Sequence, residues 1–190
     1  SFAGHLAAER RWLATPEAEA QRSFWRTRLP AAGPREGAGW DGGVVQSPLG
    51  EGLAGAVRRR AAASGLTSFM LCFAAFALLV AQEGDERARV VGVPVSGRRR
   101  APEGLVGYCT HVLPIAAPAP AAGTVRAWLD GAREALVQAY EHQDLPFAEM
   151  RRGSAAQVEV TFNLDIGALS APGGARLATP GWRSRREPFP

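Results

Sequence analysis

The chain contains no lysine; all 22 of its basic side chains are arginine. It has only 2 cysteines, Cys72 and Cys109, far apart and never in a CxxC pair. That count argues against a disulfide framework or a zinc site and fits a reducing cytoplasm. There is no Gly-rich phosphate loop, no GxSxG, no metal-ligand spacing, and none of the 3 histidines adjoins another. The opening stretch SFAGHLAAERRW lacks an apolar core flanked by basic residues, so no signal peptide is expected there. The longest apolar run, SFMLCFAAFALLVAQ from Ser68 to Gln82, falls short of the roughly 20 residues a membrane span needs. A helix buried at the centre of a soluble domain is expected instead. The arginine runs at Arg58 to Arg60, Arg98 to Arg100 and Arg183 to Arg186 carry no interleaved aromatics and read as solvated faces.

What is present is an ordinary globular balance over 190 residues, with 46% hydrophobic and 21% charged residues. That suffices for one substantial domain or part of a larger one. A formal charge of +4 mildly favours acidic partners and is weak evidence for nucleic acid.

Helical periodicity runs from Phe2 to Trp12 and resumes after Thr15-Pro16, an N-cap followed by proline at the first helical position, to end near Leu29. Residues 30–43 form a Gly/Pro-rich connection, and Val44 to Ser47 reads as a short edge strand. A helix is expected from Glu51 to Ala63, stopped by Gly65, and Thr67 can cap the apolar helix from Ser68 to Gln82. The β-branched run from Arg89 to Val95 and the stretch from Thr110 to Ala116 read as strands. Val125 to His142 shows one broad apolar helical face. From Gln157 to Ile166 apolar residues alternate, with Val158, Val160, Phe162 and Leu164 facing one way, the pattern of a half-buried strand. The tail over 167–190 is irregular.

His142 and Asp144 sit two apart at a helix end, so they need not face each other. The structural reading is preferred: His142 meets the terminal carbonyls, and Asp144 accepts a backbone N–H in the turn before Pro146. His111 follows Gly107, where the backbone can approach something closely. A ring there can serve a site or be a satisfied core histidine. Cys109 is a candidate nucleophile, but no adjacent base lowers its pKa, and a small buried hydrophobe is the plainer reading.

Several segments, in this order, resemble the condensation domain of nonribosomal peptide synthetases. FAGHLAAERRW resembles the family's Tyr-x-x-Tyr-x-x-Trp helix, and EAEAQRSFWRTRLP the stretch after it. VVGVPVSGR is similar to its Gly-x-Pro-x-x-Gly-Arg strand and turn, at Gly92, Pro94, Gly97 and Arg98. LVGYCTHVLPI resembles Ile-Gly-x-Phe-Val-Asn-Thr-x-Pro, with His111 in the Asn position. YEHQDLPFAEM resembles His-Gln-Asp-x-Pro-Phe-Glu at His142, Gln143, Asp144, Pro146 and Phe147, with Ala148 in place of Glu. QVEVTFNL, with Asn163, is similar to the Phe-Gln-Val-x-Phe-Asn strand. The family's His-His-x-x-x-Asp-Gly motif is absent from this sequence.

The resemblance implies an α/β fold, a chloramphenicol acetyltransferase-like lobe with a mixed sheet packed by helices. It implies that residues 1–190 form the C-terminal subdomain, with the catalytic histidine on an N-terminal half preceding Ser1 and no catalytic residue here. The implied reaction is amide or ester formation between acyl or aminoacyl thioesters tethered to carrier proteins. Phosphopantetheine would be carried by those partners, with no cofactor bound directly and no nucleic acid or membrane partner. Gly107, Tyr108, Cys109 and His111 would line a substrate tunnel, and the remaining motif residues would be structural. A non-catalytic scaffold or carrier-binding lobe, and an acyltransferase using a free acceptor or coenzyme A, are the alternatives.

Overall fold

The computed structural model describes residues 1–29, 47, 50–83, 90–116, 123–152, 158 and 160–164. The expected connection at 30–43, the edge strand from Val44 apart from exposed Ser47, the Arg183 to Arg186 run and the tail at 167–190 lie outside these residues.

Helix α1 (Phe2–Trp12) begins where the Ser1 hydroxyl accepts from the Gly4 amide at 3.2 Å. Helix α2 (Pro16–Arg28) is capped by Thr15, whose Oγ1 accepts from the Ala18 amide at 3.4 Å. Helix α3 (Glu51–Ala63) ends at Gly65, which sits at φ +67°. The Leu66 amide there reaches back to the Ala61 carbonyl and the Gly65 amide to that of Ala62, so two otherwise open carbonyls are satisfied. Helix α4 (Ser68–Glu83) opens on Thr67, whose Oγ1 accepts from the Met70 amide at 3.1 Å.

Strands β1 (Val90–Val95) and β2 (His111–Ala116) pair antiparallel. Helix α5 (Val125–Glu141) and the short helix α6 (Phe147–Met150) follow, and β3 (Val160–Thr161) pairs parallel with β1. The mixed sheet has the order β2-β1-β3.

Two prolines mark how this sheet is hydrogen-bonded. The Gly92 carbonyl accepts from the Phe162 amide at 2.8 Å, so Gly92 aims its backbone groups at β3. Pro94, two residues on, aims the same way, and it has no N–H to give. The ladder therefore stops, and among the described residues of the expected strand from Gln157 to Ile166 only Val160 and Thr161 are β-structure. The burial alternation survives: Val158, Val160, Phe162 and Leu164 are half-buried while Thr161 and Asn163 are exposed. Pro114 stands opposite Gly92, so its missing N–H faces the outer edge of β2 and interrupts nothing. Gly92 is required by space, because a Cβ there would meet the methyls of Val158 and Val112.

The core gathers Trp25, Phe73, Leu113, Ile115, Leu136 and Leu145, all fully buried. Each such side chain contributes about 1.5–3 kcal/mol relative to exposure. Phe69, Phe73 and Phe76 of α4 surround the Phe162 ring at centroid distances of 5.3, 5.9 and 5.4 Å. The Trp128 indole of α5 donates to the Ala74 carbonyl of α4 at 3.0 Å. The expected enclosure of α4 on all sides is corrected: Leu79 is 54% exposed, because α3, α5 and the Phe162 ring cover only part of the helix circumference.

Candidate functional site

The turn after β1 is set by one glycine. Gly97 lies at φ +61°, and a Cβ on it would collide with the Cys109 carbonyl. Arg98 then folds back over the β1–β2 loop. Its guanidinium donates to the carbonyls of Leu105 and Gly107, both at 2.7 Å, a charge-assisted pair that fixes the loop. Gly107, at φ +156°, leaves room for the Phe2 ring, so the loop is latched to α1.

The second part is the corner after α5. His142 caps that helix, and its Nδ1–H donates to the Gln138 carbonyl at 2.8 Å. Its ring stacks on Phe24 at 3.8 Å and 6°, and its carbonyl accepts from the Trp25 indole at 3.0 Å. Both ring and backbone are thus engaged in packing the corner onto α2. The Gln143 side chain donates to the Tyr140 carbonyl at 2.6 Å. Pro146 opens α6, where Phe147 lies 5.7 Å beneath the Arg151 guanidinium. Burial pushes the Tyr140 phenol above its ordinary range.

Two expectations are corrected here. Asp144 does not take the turn amide: the Leu145 N–H goes to Gln21 Oε1 at 3.1 Å, and Asp144 faces Arg99 at 3.6 Å. The Arg98 to Arg100 run is not simply solvated. Beyond the Arg98 contacts, Arg99 reaches the Tyr140 carbonyl at 3.4 Å, and Arg100 lies 4.4 Å over the Trp12 ring. The backbone of this turn points all three arginines at carbonyls, a carboxylate or a ring, which a run of identical letters does not reveal.

Between turn and corner lies a cleft of about 260 Å³. Tyr108, Cys109 and His111 reach it from one side, and Gln143, Asp144 and Pro146 from the other. His111 Nε2 lies 2.9 Å from the Gln143 carbonyl, tying β2 to the corner. Gly107 is not among the residues that line this cleft; its close approach is to the Phe2 ring. The sequence reading missed His5 and Glu9 of α1, which also line the cleft. Their spacing of four on one helix face was the available signal. Gly92, Pro94 and Asn163 lie in the sheet region and do not line the cleft.

Among the described residues no single helix is long and apolar enough to cross a membrane. One pair, Glu51–Ala63 with Ser68–Gln82, meets that test only jointly and is bent by 102°.

Known proteins resemble this chain in sequence and in fold. The Condensation domain family matches residues 1–167. Tyrocidine synthase 3 of Brevibacillus parabrevis is 33% identical over 141 residues, 68% of this chain and 2% of that protein. Gramicidin S synthase 2 of Aneurinibacillus migulanus is 28% identical over 150 residues, 73% of this chain and 3% of that protein. The X-domain from teicoplanin biosynthesis superposes with a TM-score of 0.68 at 22% identity, over 85% of this chain and 40% of that one. The first condensation domain of the calcium-dependent antibiotic synthetase, in complex with a substrate analogue, gives 0.65 at 19% identity, over 85% and 37%. The chain therefore spans a small part of its curated relatives and well under half of these solved chains. Their shared fold is α/β and chloramphenicol acetyltransferase-like. With the strand-and-turn, loop and corner motifs all converging on one cleft, the chain belongs to the condensation-domain family of the nonribosomal peptide synthetases.

Proposed function

We propose that this chain is the C-terminal half of a condensation domain that joins two carrier-protein-tethered substrates as an amide or ester. The observation that carries the reading is the cleft in which the Gly97 turn, Cys109 to His111 and the Gln143 to Pro146 corner meet. It offers polar groups for positioning, while the sequence holds no His-His-x-x-x-Asp-Gly motif. The general base would belong to an N-terminal lobe, and this lobe would supply one wall of the tunnel between them.

In the reaction, an amine or hydroxyl on the acceptor attacks the donor thioester carbonyl. A C–N or C–O bond forms, the C–S bond breaks, and the nucleophile's proton ends on the departing thiol. The physical task is alignment of two reactants and movement of one proton. Donor and acceptor would arrive on the phosphopantetheine arms of two peptidyl carrier proteins, and this chain itself would hold no cofactor.

The test is to produce these residues together with the segment preceding Ser1 and offer a carrier-bound acyl thioester with a carrier-bound acceptor. Amide or ester product from the two-lobe protein supports the reading. A folded two-lobe protein that binds carrier proteins and yields no product makes it a scaffold instead. Equal turnover with a free acceptor makes it a small-molecule acyltransferase.

A further inference from the structure

We infer that His111 presents its Nδ1 to the cleft as a fixed hydrogen-bond acceptor for the N–H or O–H of the attacking group, with the Gln143 carbonyl as the positioning partner that sets its tautomer. This rests on the condensation reading above and adds an assignment within it. The Nε2 atom lies 2.9 Å from that carbonyl. A carbonyl only accepts, so the neutral ring carries its proton on Nε2, and Nδ1 keeps its lone pair. Nδ1 makes no hydrogen bond to any described residue.

The surroundings keep it so. His111 lines the cleft beside Gly97, and a Cβ on residue 97 would stand 2.9 Å from Nδ1, so any larger residue in this turn would crowd the nitrogen. Flipping the ring would set a carbon against the Gln143 carbonyl and forfeit the bond. The carbonyl itself sits in a braced corner. The Gln143 side chain is bonded to Tyr140, the His142 carbonyl to Trp25 and the Leu145 amide to Gln21. His111 is further registered against Val95 in the sheet. The other titratable groups at the cleft are His5 and Glu9 of α1, Arg99 and Arg100 of the turn, Tyr108 and Cys109 of the loop, and Asp144 of the corner. The plain alternative is that the ring only ties β2 to the corner.

Two substitutions in the two-lobe domain separate these roles, because each amide reproduces one ring nitrogen. In His111→Gln the terminal amide can still donate to the Gln143 carbonyl, but the acceptor in the cleft is lost. In His111→Asn the amide oxygen takes the Nδ1 place and the tie to Gln143 is lost. His111→Gln should lower kcat about tenfold, the effect of one lost hydrogen bond in the transition state, with the thermal midpoint held. His111→Asn should lose less activity and more thermal stability. The opposite order, or activity falling in step with the midpoint in both, overturns the inference while leaving the condensation reading intact. Should the wild-type two-lobe domain make no product, the condensation reading fails by itself. Nitrogen NMR of the histidine rings then still decides the tautomer: protonation at Nε2 of His111 is expected, and protonation at Nδ1 overturns it.

Discussion

Gly97 and Gly104 both hold positive φ, at +61° and +72°, yet they differ in what surrounds them. Nothing lies within 4 Å of a Cβ on Gly104, whereas one on Gly97 runs into the Cys109 carbonyl. Gly104→Ala should therefore cost only the left-handed penalty, about 1–2 kcal/mol. Gly97→Ala should cost more than about 3 kcal/mol, because the loop must also move. Thermal or urea unfolding of the two variants side by side measures the difference. Trp25→Phe removes the indole N–H from the His142 carbonyl and should cost about 1–2 kcal/mol in the same experiment. At this scale the sequence was partly legible. The helix-end position of His142 pointed to its bond with a terminal carbonyl. The partners of Asp144 and of the three arginines were hidden, because they come from the path of the turn and from distant segments. The spacing of His5 and Glu9 put them on one helix face, but the cleft they line also needs the loop and the corner, which are distant in sequence.

The elements show why boundaries read well from sequence and pairings less so. Caps are local, so Thr15, Gly65 and Thr67 stand where their residue types predicted. The length of β3 is not local, since it is ended by Pro94 on a different strand. Nor is the burial of α4, which depends on what the other helices cover. Arg22 joins elements in the same non-local way. It donates to Glu149 of α6 at 2.9 Å, to Glu19 at 3.2 Å and to the Leu13 carbonyl at 2.7 Å. With Arg22 and Glu149 largely shielded, Arg22→Ala should cost about 2–3 kcal/mol by denaturant unfolding. Arg22→Lys should rescue little of it, because an ammonium cannot span three acceptors as the guanidinium fork does.

At the scale of the whole molecule, Val106 and Tyr108 stand 87% and 82% exposed on the loop that Arg98 fixes, with Leu6 38% exposed. A rigid apolar projection of this kind favours association. The chain on its own should therefore show concentration-dependent oligomers by sedimentation velocity, and Val106→Ser with Tyr108→Ser should suppress them. The same chain on its own should turn over no thioester donor above the uncatalysed rate; product formation would contradict the division of labour between lobes. The parallel pairing of Val91 with Val160 has a further consequence, during synthesis. Everything from β2 through α6 must be made before β3 leaves the ribosome. At 5–20 residues per second that interval is on the order of ten seconds. Throughout it the nascent chain carries β1 with one row of amides and carbonyls unpaired, an open strand edge that other unfinished chains can occupy.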